Sequence, residues 1–244
     1  MSQASNTDLE KNATEHYEGR PLAQVVTPGG NPADYSQPAL PQYHRKVANP
    51  APLGLVSFAA GYWLASVLTL YARGVEIPNV VVPVLALFGG LMQTIVGLVE
   101  MFLGNTWGAT VFCSFGSFNF TYAALYLPAF GVAQAYLRSD GTLDPSFNQA
   151  VGLYLLMWAL VVFFFCIGAL RTSVSVLSTL VFTFLNFLTL AVWKMAGSDT
   201  ARIVGGVFGL CASACATWGA AAGFMTSDAT FGFLQPSPIN LRRD

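Results

Sequence analysis

Six long apolar stretches follow one another along the chain, after a polar leader of 48 residues. An α-helix rises about 1.5 Å per residue, so about 20 residues are needed to cross the ~30 Å hydrocarbon core of a bilayer. Each stretch is continuous rather than alternating, which favours helices over the strands of a membrane β-barrel. The predicted spans are Pro52–Tyr71, Val80–Leu103, Thr106–Phe130, Asn148–Leu170, Ser173–Val192 and Ile203–Met225. The pattern predicts an all-α, polytopic membrane protein, a compact bundle of six transmembrane helices.

The charge content supports this class of protein and excludes others. Only 9% of the residues are charged, against about 25% in a typical soluble domain. Of the 23 charged residues, nine lie in residues 1–48 and four in residues 227–244, which leaves ten for the 178 residues between them. Ten charges cannot cover the surface of a soluble enzyme. A net charge of −1 also offers no basic field for nucleic acid.

Three segments are expected. Residues 1–48 contain five prolines and no apolar run, a composition typical of a disordered tail. Residues 49–226 form the transmembrane domain, and residues 227–244 form a second, shorter tail. An even number of spans places both termini on one side of the membrane. With the termini inside, seven Lys and Arg residues face the cytoplasm and four face outward, which predicts that both tails are cytoplasmic.

The first span begins with an explicit helix-start signal. Asn is a favoured N-cap, and Pro at the first helical position has a preset φ and no N–H to leave unpaired. A second Pro two residues later removes another unpaired N–H, which matters in a bilayer, where each such group is costly. The simplest interpretation is a well-capped helix, and the alternative is that the positive end of the helix dipole attracts an anion. The residues concerned are Asn49, Pro50, Ala51, Pro52, Leu53, Gly54 and Leu55.

These seven residues, followed by Phe58, resemble the signature of the acetate uptake transporter family (GPR1/FUN34/YaaH), the bacterial acetate/succinate permeases and fungal acetate transporters. The resemblance implies a six-helix protein that assembles as a hexamer, with a substrate path in each protomer, and that moves acetate, and in some members succinate or lactate, with protons. The long polar N-terminal tail is similar to the fungal branch. Over roughly residues 49–225 the resemblance continues through Gly89-Gly90, Gln93, Gly97 and Glu100, then Gly104-Asn105-Thr106-Trp107-Gly108-Ala109-Thr110, then Ser114-Phe115-Gly116-Ser117-Phe118.

The resemblance also implies a constriction in the substrate path. Family members narrow this path with a Phe, a Tyr and a Leu. Phe58 keeps the Phe, Phe115 stands where Tyr is usual, and Thr183 falls near the Leu position. Asn119 stands where Trp is common, which frees space. These departures leave the transporter prediction intact and leave the preferred carboxylate open, because a somewhat larger or more polar acid than acetate is compatible with them.

Span 3 is polar in its middle. Ser114 and Asn119 belong to this stretch, near the bilayer midplane, where polar side chains face other protein or a water-filled path. They could line the path and bind a carboxylate, or they could hydrogen-bond between helices.

Span 2 carries small and polar residues on one helical face. Its glycines fit either a subunit interface or packing within one protomer. Gln93 and Glu100 lie on the same face, at spacings of three and four from those glycines. Glu100 is interpreted as the only ionisable side chain inside a span, so it either couples transport or caps a helix or pairs with Arg171. Asn105, which directly precedes span 3, and Thr106, its first residue, are grouped with this polar face.

These patterns predict a transporter rather than an enzyme. The main hypothesis is a channel-like or proton-coupled transporter of acetate and related short-chain monocarboxylates, multi-pass in the plasma membrane, with protons, the lipid bilayer and further copies of itself as partners. No metal or cofactor is expected, since both histidines lie in the tail. Two alternatives stay open: a non-transporting acetate sensor or scaffold that works through its tails, and an ammonium exporter.

Overall fold

A computed structural model describes residues 48–237 and 239–241. The predicted disorder of the N-terminal tail lies outside the described residues. Within the described range, six long helices are joined by turns, short helical segments and two isolated β-bridges. The helices are α1 (Ala51–Thr69), α2 (Val81–Phe102), α3 (Thr106–Tyr126), α4 (Ser146–Gly168), α5 (Val174–Ala196) and α6 (Asp199–Phe224).

Five of these helices, all but α3, are long and apolar enough to cross a membrane. The protein is therefore a helical membrane protein, as the apolar stretches predict. Helix α3 has 21 residues, enough to cross, but Ser, Asn and Thr interrupt its apolar sequence. The count of six spans stays a prediction for that helix.

Helix α3 ends four residues earlier than the apolar pattern predicts. Leu127 has extended backbone angles (φ −81°, ψ 123°) because it precedes Pro128. A proline ring disfavours helical angles at the residue before it, so the helix stops at Tyr126 although the sequence stays apolar to Phe130.

The predicted loop between the last two spans, Trp193–Arg202, is wrong. Helix α5 continues to Ala196 and α6 begins at Asp199, so the connection is only Gly197 and Ser198. Gly197 takes the left-handed conformation (φ 65°) that ends helices, and the Ser198 hydroxyl caps α6 by accepting from the Ala201 N–H at 3.3 Å. Hydropathy falls at the charged residues, but the capping residues set the helix ends.

The greater length of α5 and α6 increases the number of ionisable side chains within the helices. Lys194 lies in α5, and Arg202 lies in α6 with 8% of its surface exposed. The interpretation of Glu100 as the only ionisable side chain inside a span is therefore wrong, because the helices are longer than hydropathy alone predicts.

The six helices pack in a closed order around a common centre. Helix α1 packs between α6 and α2, α2 packs on α3, and α5 packs between α4 and α6. Helices α3 and α4 meet mainly through aromatic side chains. Phe118 contacts Tyr154 and Trp158 (ring centroids 6.1 and 5.2 Å apart), and Phe115 contacts Phe165 (5.9 Å). The aromatic core therefore lies at the centre of the ring of helices.

The glycine-bearing face of α2 packs against α3 in the same protomer. A Cβ atom at Gly97 would lie 2.7 Å from the backbone N of Cys113, and one at Gly116 would lie 2.9 Å from the carbonyl O of Gly90. Contacts this short leave room only for hydrogen at these positions. The small residues of this face are thus used for packing inside the protomer, one of the two alternatives open from the sequence.

Replacing Gly97 with alanine should destabilise the helix pair. The new methyl group would push against the α3 backbone, and overpacking of this kind costs about 1–3 kcal/mol. Gly61→Ala is the matched control, since its nearest contact would be Leu85 Cδ2 at 3.9 Å and a helical Gly→Ala change is then neutral or slightly stabilising. Thermal unfolding of the purified variants in detergent measures the change in stability caused by each substitution. Equal melting temperatures for the two variants would contradict the packing described here.

Helix α2 contains a π-helical segment, Val84–Gly90, that the sequence does not predict. The hydroxyl of Thr94 donates to the carbonyl O of Gly90 at 2.8 Å where the segment ends. A Cβ atom at Gly89 would lie 3.0 Å from the side chain of Asn119 on α3. Single π-helical turns are frequent at functional sites, and this one faces the centre of the ring.

The connection between α3 and α4 is ordered by a carboxylate. Asp144 accepts from the Ser146 N–H at 2.8 Å and forms an ion pair with Arg138 at 2.8 Å. The hydrogen bonds from Ser146, and then that from Arg138, lower the pKa of Asp144 to about 2.

Part of the C-terminal segment pairs with the connection between α4 and α5. The Val174 N–H donates to the Ile239 carbonyl at 2.8 Å, and the Leu241 N–H donates to the Thr172 carbonyl at 2.9 Å. These two bonds hold residues 239–241 beside the start of α5.

Candidate functional site

Three cavities follow one another along the centre of the ring. Cavity A (about 100 Å³) lies beside the starts of α1, α3 and α5, cavity B (about 70 Å³) lies in the middle, and cavity C (about 320 Å³) lies beside the end of α1 and the start of α2. Along α1 the lining residues run from Leu55 at A, through Tyr62 at B, to Leu68 at C. Cavities B and C share lining residues, whereas A and B share none. The row therefore has its clearest separation between A and B.

The interruption is an aromatic contact. Phe58 and Phe115 meet edge to face with ring centroids 5.6 Å apart, and both are buried (7% and 4% exposed). Phe58 also stacks on Tyr62 at 4.4 Å, and Tyr62 faces Phe187 at 6.3 Å. The structure thus brings together two of the three residues predicted to form a constriction, at the level that separates A from B.

Thr183, the third of these, lies at the same level of α5. It is completely buried, and its hydroxyl donates to the Thr179 carbonyl at 2.7 Å, so it does not line any of the three cavities. Leu180, one turn earlier and 3% exposed, lines cavity A instead. Leu180 could have been proposed from the sequence, because a leucine three residues before Thr183 lies on the same helical face.

Cavity B is bordered by amide and hydroxyl groups. Tyr62 donates to Asn186 Oδ1 at 3.1 Å, and Asn186 Nδ2 donates to the Gly205 carbonyl at 2.7 Å. Asn119 lines the same cavity, with its Nδ2 donating to the Phe115 carbonyl at 2.9 Å. Tyr62 was not among the predicted site residues. Its sequence signal was the i, i+4 spacing from Phe58.

Ser114 does not line any of the three central cavities. It lines a shallow depression on the outer side of α2 and α3, together with Thr106 and Cys113. The polar stretch of span 3 therefore divides between two faces: Asn119 points to cavity B, and Ser114 points away.

The predicted polar face of α2 does reach cavity A. Gln93 (1% exposed) and Glu100 (4% exposed) both line it. Glu100 Oε2 accepts from Asn105 Nδ2 at 2.6 Å, and Asn105 Oδ1 accepts from the Gly108 N–H at 3.0 Å. Asn105 therefore caps α3 and holds the Glu100 carboxylate across the turn. Thr106 lies outside this cluster and is exposed.

The helix-start signal of α1 forms one edge of cavity A. Asn49 Oδ1 accepts from the Ala51 N–H at 3.1 Å, and Ala51 lines the cavity. The helix begins at Ala51, so Pro50 occupies the capping position rather than the first helical turn, one residue later in register than predicted. Pro52 is buried, and a Cβ atom at Gly223 of α6 would lie 2.6 Å from its Cγ, while Leu53 is 44% exposed on the outer side.

Gly54 gives α1 its close approach to α3. A Cβ atom there would lie 2.7 Å from Phe112 Cδ1, and Phe112 lines cavity A. The glycine of the motif thus allows the Phe112 ring to lie against the α1 backbone.

Charged side chains border only cavity C and the end of cavity A. Cavity C has Glu76 and Lys194 among its lining residues, and Lys194 Nζ lies 4.2 Å from the ring centroid of Trp193. Within residues 48–237 and 239–241, no cluster of three His, Cys, Asp or Glu side chains is placed to hold a metal ion. The central row is thus a series of small, weakly polar cavities with charged side chains near its two ends.

The chain matches a known family over most of its length. The GPR1/FUN34/yaaH family profile matches residues 33–242. Ammonia transport outward protein 2 of Saccharomyces cerevisiae is 36% identical over 191 residues, covering 78% of this chain and 66% of the relative. Acetate permease A of Emericella nidulans is 34% identical over 193 residues, covering 77% of this chain and 65% of the relative. The chain thus spans about two thirds of the length of these curated relatives.

A solved structure shares the arrangement of helices. The bacterial acetate channel SatP superimposes with a TM-score of 0.66 at 28% identity, covering 77% of this chain and 96% of that chain. These similarities confirm the resemblance carried by the signature at Asn49–Leu55. The chain belongs to the GPR1/FUN34/yaaH family.

Proposed function

We propose that the chain is a channel-like or proton-coupled transporter of acetate and related short-chain monocarboxylates in the plasma membrane. The observation that carries the proposal is the row of cavities A, B and C through the centre of one protomer, with Phe58 and Phe115 in contact between A and B. The names of two similar proteins, an acetate permease and an acetate channel, support the same substrate class.

The size of the cavities favours a very small solute. Cavities A and B measure about 100 and 70 Å³, whereas sites for drug-sized ligands measure roughly 300–1,000 Å³. The lining is mostly apolar with a few amides and hydroxyls. A two- or three-carbon acid has both the size and the mixed polarity that such a passage accepts.

We assign roles to the residues along this path. Phe58, Phe115 and, behind them, Thr183 form the constriction, and Asn119 borders the chamber beyond it. The capped start of α1 at Asn49 forms one mouth, and Gln93 and Glu100 take part in coupling. The assembly is a homo-oligomer, a hexamer by family resemblance, with both termini in the cytoplasm.

Uptake by purified protein in liposomes tests the proposal. Labelled acetate, lactate and succinate are supplied in turn, and uptake by protein-free vesicles is subtracted. We expect acetate and lactate to enter faster than succinate, because cavities A and B are small and have no cation in their lining for a second carboxylate. A folded, monodisperse protein that carries none of the three would overturn the proposal.

Ammonium export is the second candidate, favoured by the 36% identity to a protein named for ammonia transport. The same vesicles loaded with labelled methylammonium measure it. Efflux above the protein-free rate without carboxylate uptake would assign this function instead.

A sensor or scaffold role depends on the tails, and the N-terminal tail lies outside the described residues. Deleting residues 1–45 separates the hypotheses. A transporter keeps its flux after the deletion, whereas a sensor loses its response to acetate.

A further inference from the structure

Gln93 is buried in α2 with both polar atoms of its side chain unpartnered. It is 1% exposed, and neither Nε2 nor Oε1 has a hydrogen-bond partner among the described residues. It lines cavity A beside Phe58 and Phe115. A buried amide with no partner is destabilising and uncommon in folded proteins. Its presence at the constriction is accounted for if a ligand supplies both partners.

Cavity A is poorly suited to an anion. Glu100 is the only ionisable group among its lining residues, and it is acidic. Helices α1, α3 and α5 face Gln93 with mainly apolar side chains, and the hydroxyl of Thr179 already donates to the Ser175 carbonyl at 2.8 Å. Trp107 Nε1 is a further donor in the lining without a partner in the described part of the chain, and it lies beside Gly168 of α4, where a Cβ atom would be 3.0 Å away. A carboxylate bound at Gln93 would find no cation among the lining residues of cavity A, which is unfavourable for a buried charge.

The helix starts around cavity A do not supply the missing positive charge. Each of the three has a first-turn N–H already bonded to a side chain: Ala51 N–H to Asn49, Gly108 N–H to Asn105, and Val176 N–H to Ser173, at 3.1, 3.0 and 3.3 Å. A capped helix start has fewer free donors for an anion. The simpler interpretation of the α1 motif, a well-made cap, therefore fits the structure better than an anion site.

We infer that Gln93 binds the substrate's carboxyl group in its undissociated form, through a pair of hydrogen bonds. Gln93 Nε2 donates to the carbonyl oxygen of the acid, and the acid O–H donates to Gln93 Oε1. An amide and an undissociated carboxyl group each present one donor beside one acceptor, so the two are complementary. A carboxylate offers acceptors only, and it would place a negative oxygen against Oε1.

This assignment rests on the proposed transport of monocarboxylic acids and adds a mechanism to it. The proton that the acid carries passes the constriction with it, one proton for each molecule. Transport is therefore electroneutral. Gln93 is a specificity-determining residue, which selects a group that can both donate and accept.

Liposome uptake with Gln93→Leu tests the assignment. Initial uptake of labelled acetate is measured at several external pH values, with the undissociated acid held at one concentration, and with potassium diffusion potentials of both signs. For the wild-type protein we expect rates that do not change with pH or potential, and inhibition by acetamide, which also presents one donor beside one acceptor. Gln93→Leu should lower uptake at least tenfold and remove the inhibition by acetamide.

Thermal unfolding distinguishes loss of binding from loss of fold. Gln93→Leu removes two unpartnered polar atoms, so it should melt at or above the wild-type temperature while its uptake falls. Ser213→Ala is the matched control. It removes a buried hydrogen bond to the Ala59 carbonyl (2.8 Å) away from cavities A, B and C, and it should keep wild-type uptake.

The outcomes separate this inference from the proposed function. Wild-type uptake that follows the membrane potential, or that Gln93→Leu retains, overturns the assignment of Gln93 and leaves the transporter standing. Absence of uptake by the wild-type protein overturns the proposed function and the assignment together.

Discussion

Replacing Phe58 with alanine should widen the range of acids that pass, with lactate uptake rising several-fold relative to acetate. The Phe58 ring stacks on Tyr62 and meets Phe115 edge to face, and these contacts separate cavity A from cavity B. Without the ring the two cavities merge, so a larger solute is no longer excluded. The ratio of lactate to acetate uptake in liposomes measures the change.

The same substitution should lower stability by about 3 kcal/mol, at the low end for removal of a buried Phe, because the ring already borders a cavity. Phe163→Ala is the matched control, since Phe163 lies on α4 with 47% of its surface exposed and contacts Phe184 away from the cavities. We expect Phe163→Ala to keep the wild-type uptake ratio. A Phe58→Ala protein that is folded and also keeps that ratio would show that this contact does not limit passage.

Replacing Arg202 with alanine should destabilise the protein by about 3 kcal/mol. The guanidinium donates to the Thr69 carbonyl at the end of α1 (2.7 Å) and to Asp199 (3.0 Å), and it lies 4.0 Å from the ring centroid of Tyr71. A hydrogen bond to a charged group is worth about 1.5–3 kcal/mol, and a cation–π contact adds about 0.5–2 kcal/mol. The loss should appear as a lower melting temperature in detergent.

Two further variants serve as comparisons for Arg202→Ala. Arg202→Lys keeps the charge but cannot make the forked contacts, so its melting temperature should fall between those of the alanine variant and the wild-type protein. Arg171→Ala removes an exposed arginine and should change little. If Arg202→Ala and Arg171→Ala melt at the same temperature, Arg202 does not join α1 to α6 as described.

The helical class could be predicted from the sequence because apolar length alone decides it. Helix ends required local chemistry that hydropathy does not report. Pro128 ends α3 early, and Gly197 with Ser198 reduces a predicted ten-residue loop to two residues. The consequence concerns stability, since Arg202 lies buried in α6 rather than in a loop.

The site could be predicted only in part. Phe58 and Phe115 follow recognisable motifs, and they do meet. Ser114 and Asn119 lie five residues apart in one polar stretch, and only the packing of α3 shows that Asn119 faces a cavity while Ser114 faces away. The unpartnered state of Gln93 has no sequence signal, because it depends on what α1, α3 and α5 place around it.

Chemical blockage of the central row tests the central claim most directly, namely that a short-chain acid crosses the membrane inside one protomer. A single cysteine replaces Leu180 at cavity A in a protein whose four native cysteines are changed to alanine. A small thiol reagent is applied, labelling is verified by mass, and labelled acetate uptake is measured before and after reduction. A protein with its single cysteine at the exposed residue Thr142 serves as the control. We predict that labelling at position 180 abolishes uptake, that reduction restores it, and that labelling at position 142 has no effect. Undiminished uptake after complete labelling at position 180 would contradict a path through the row of cavities.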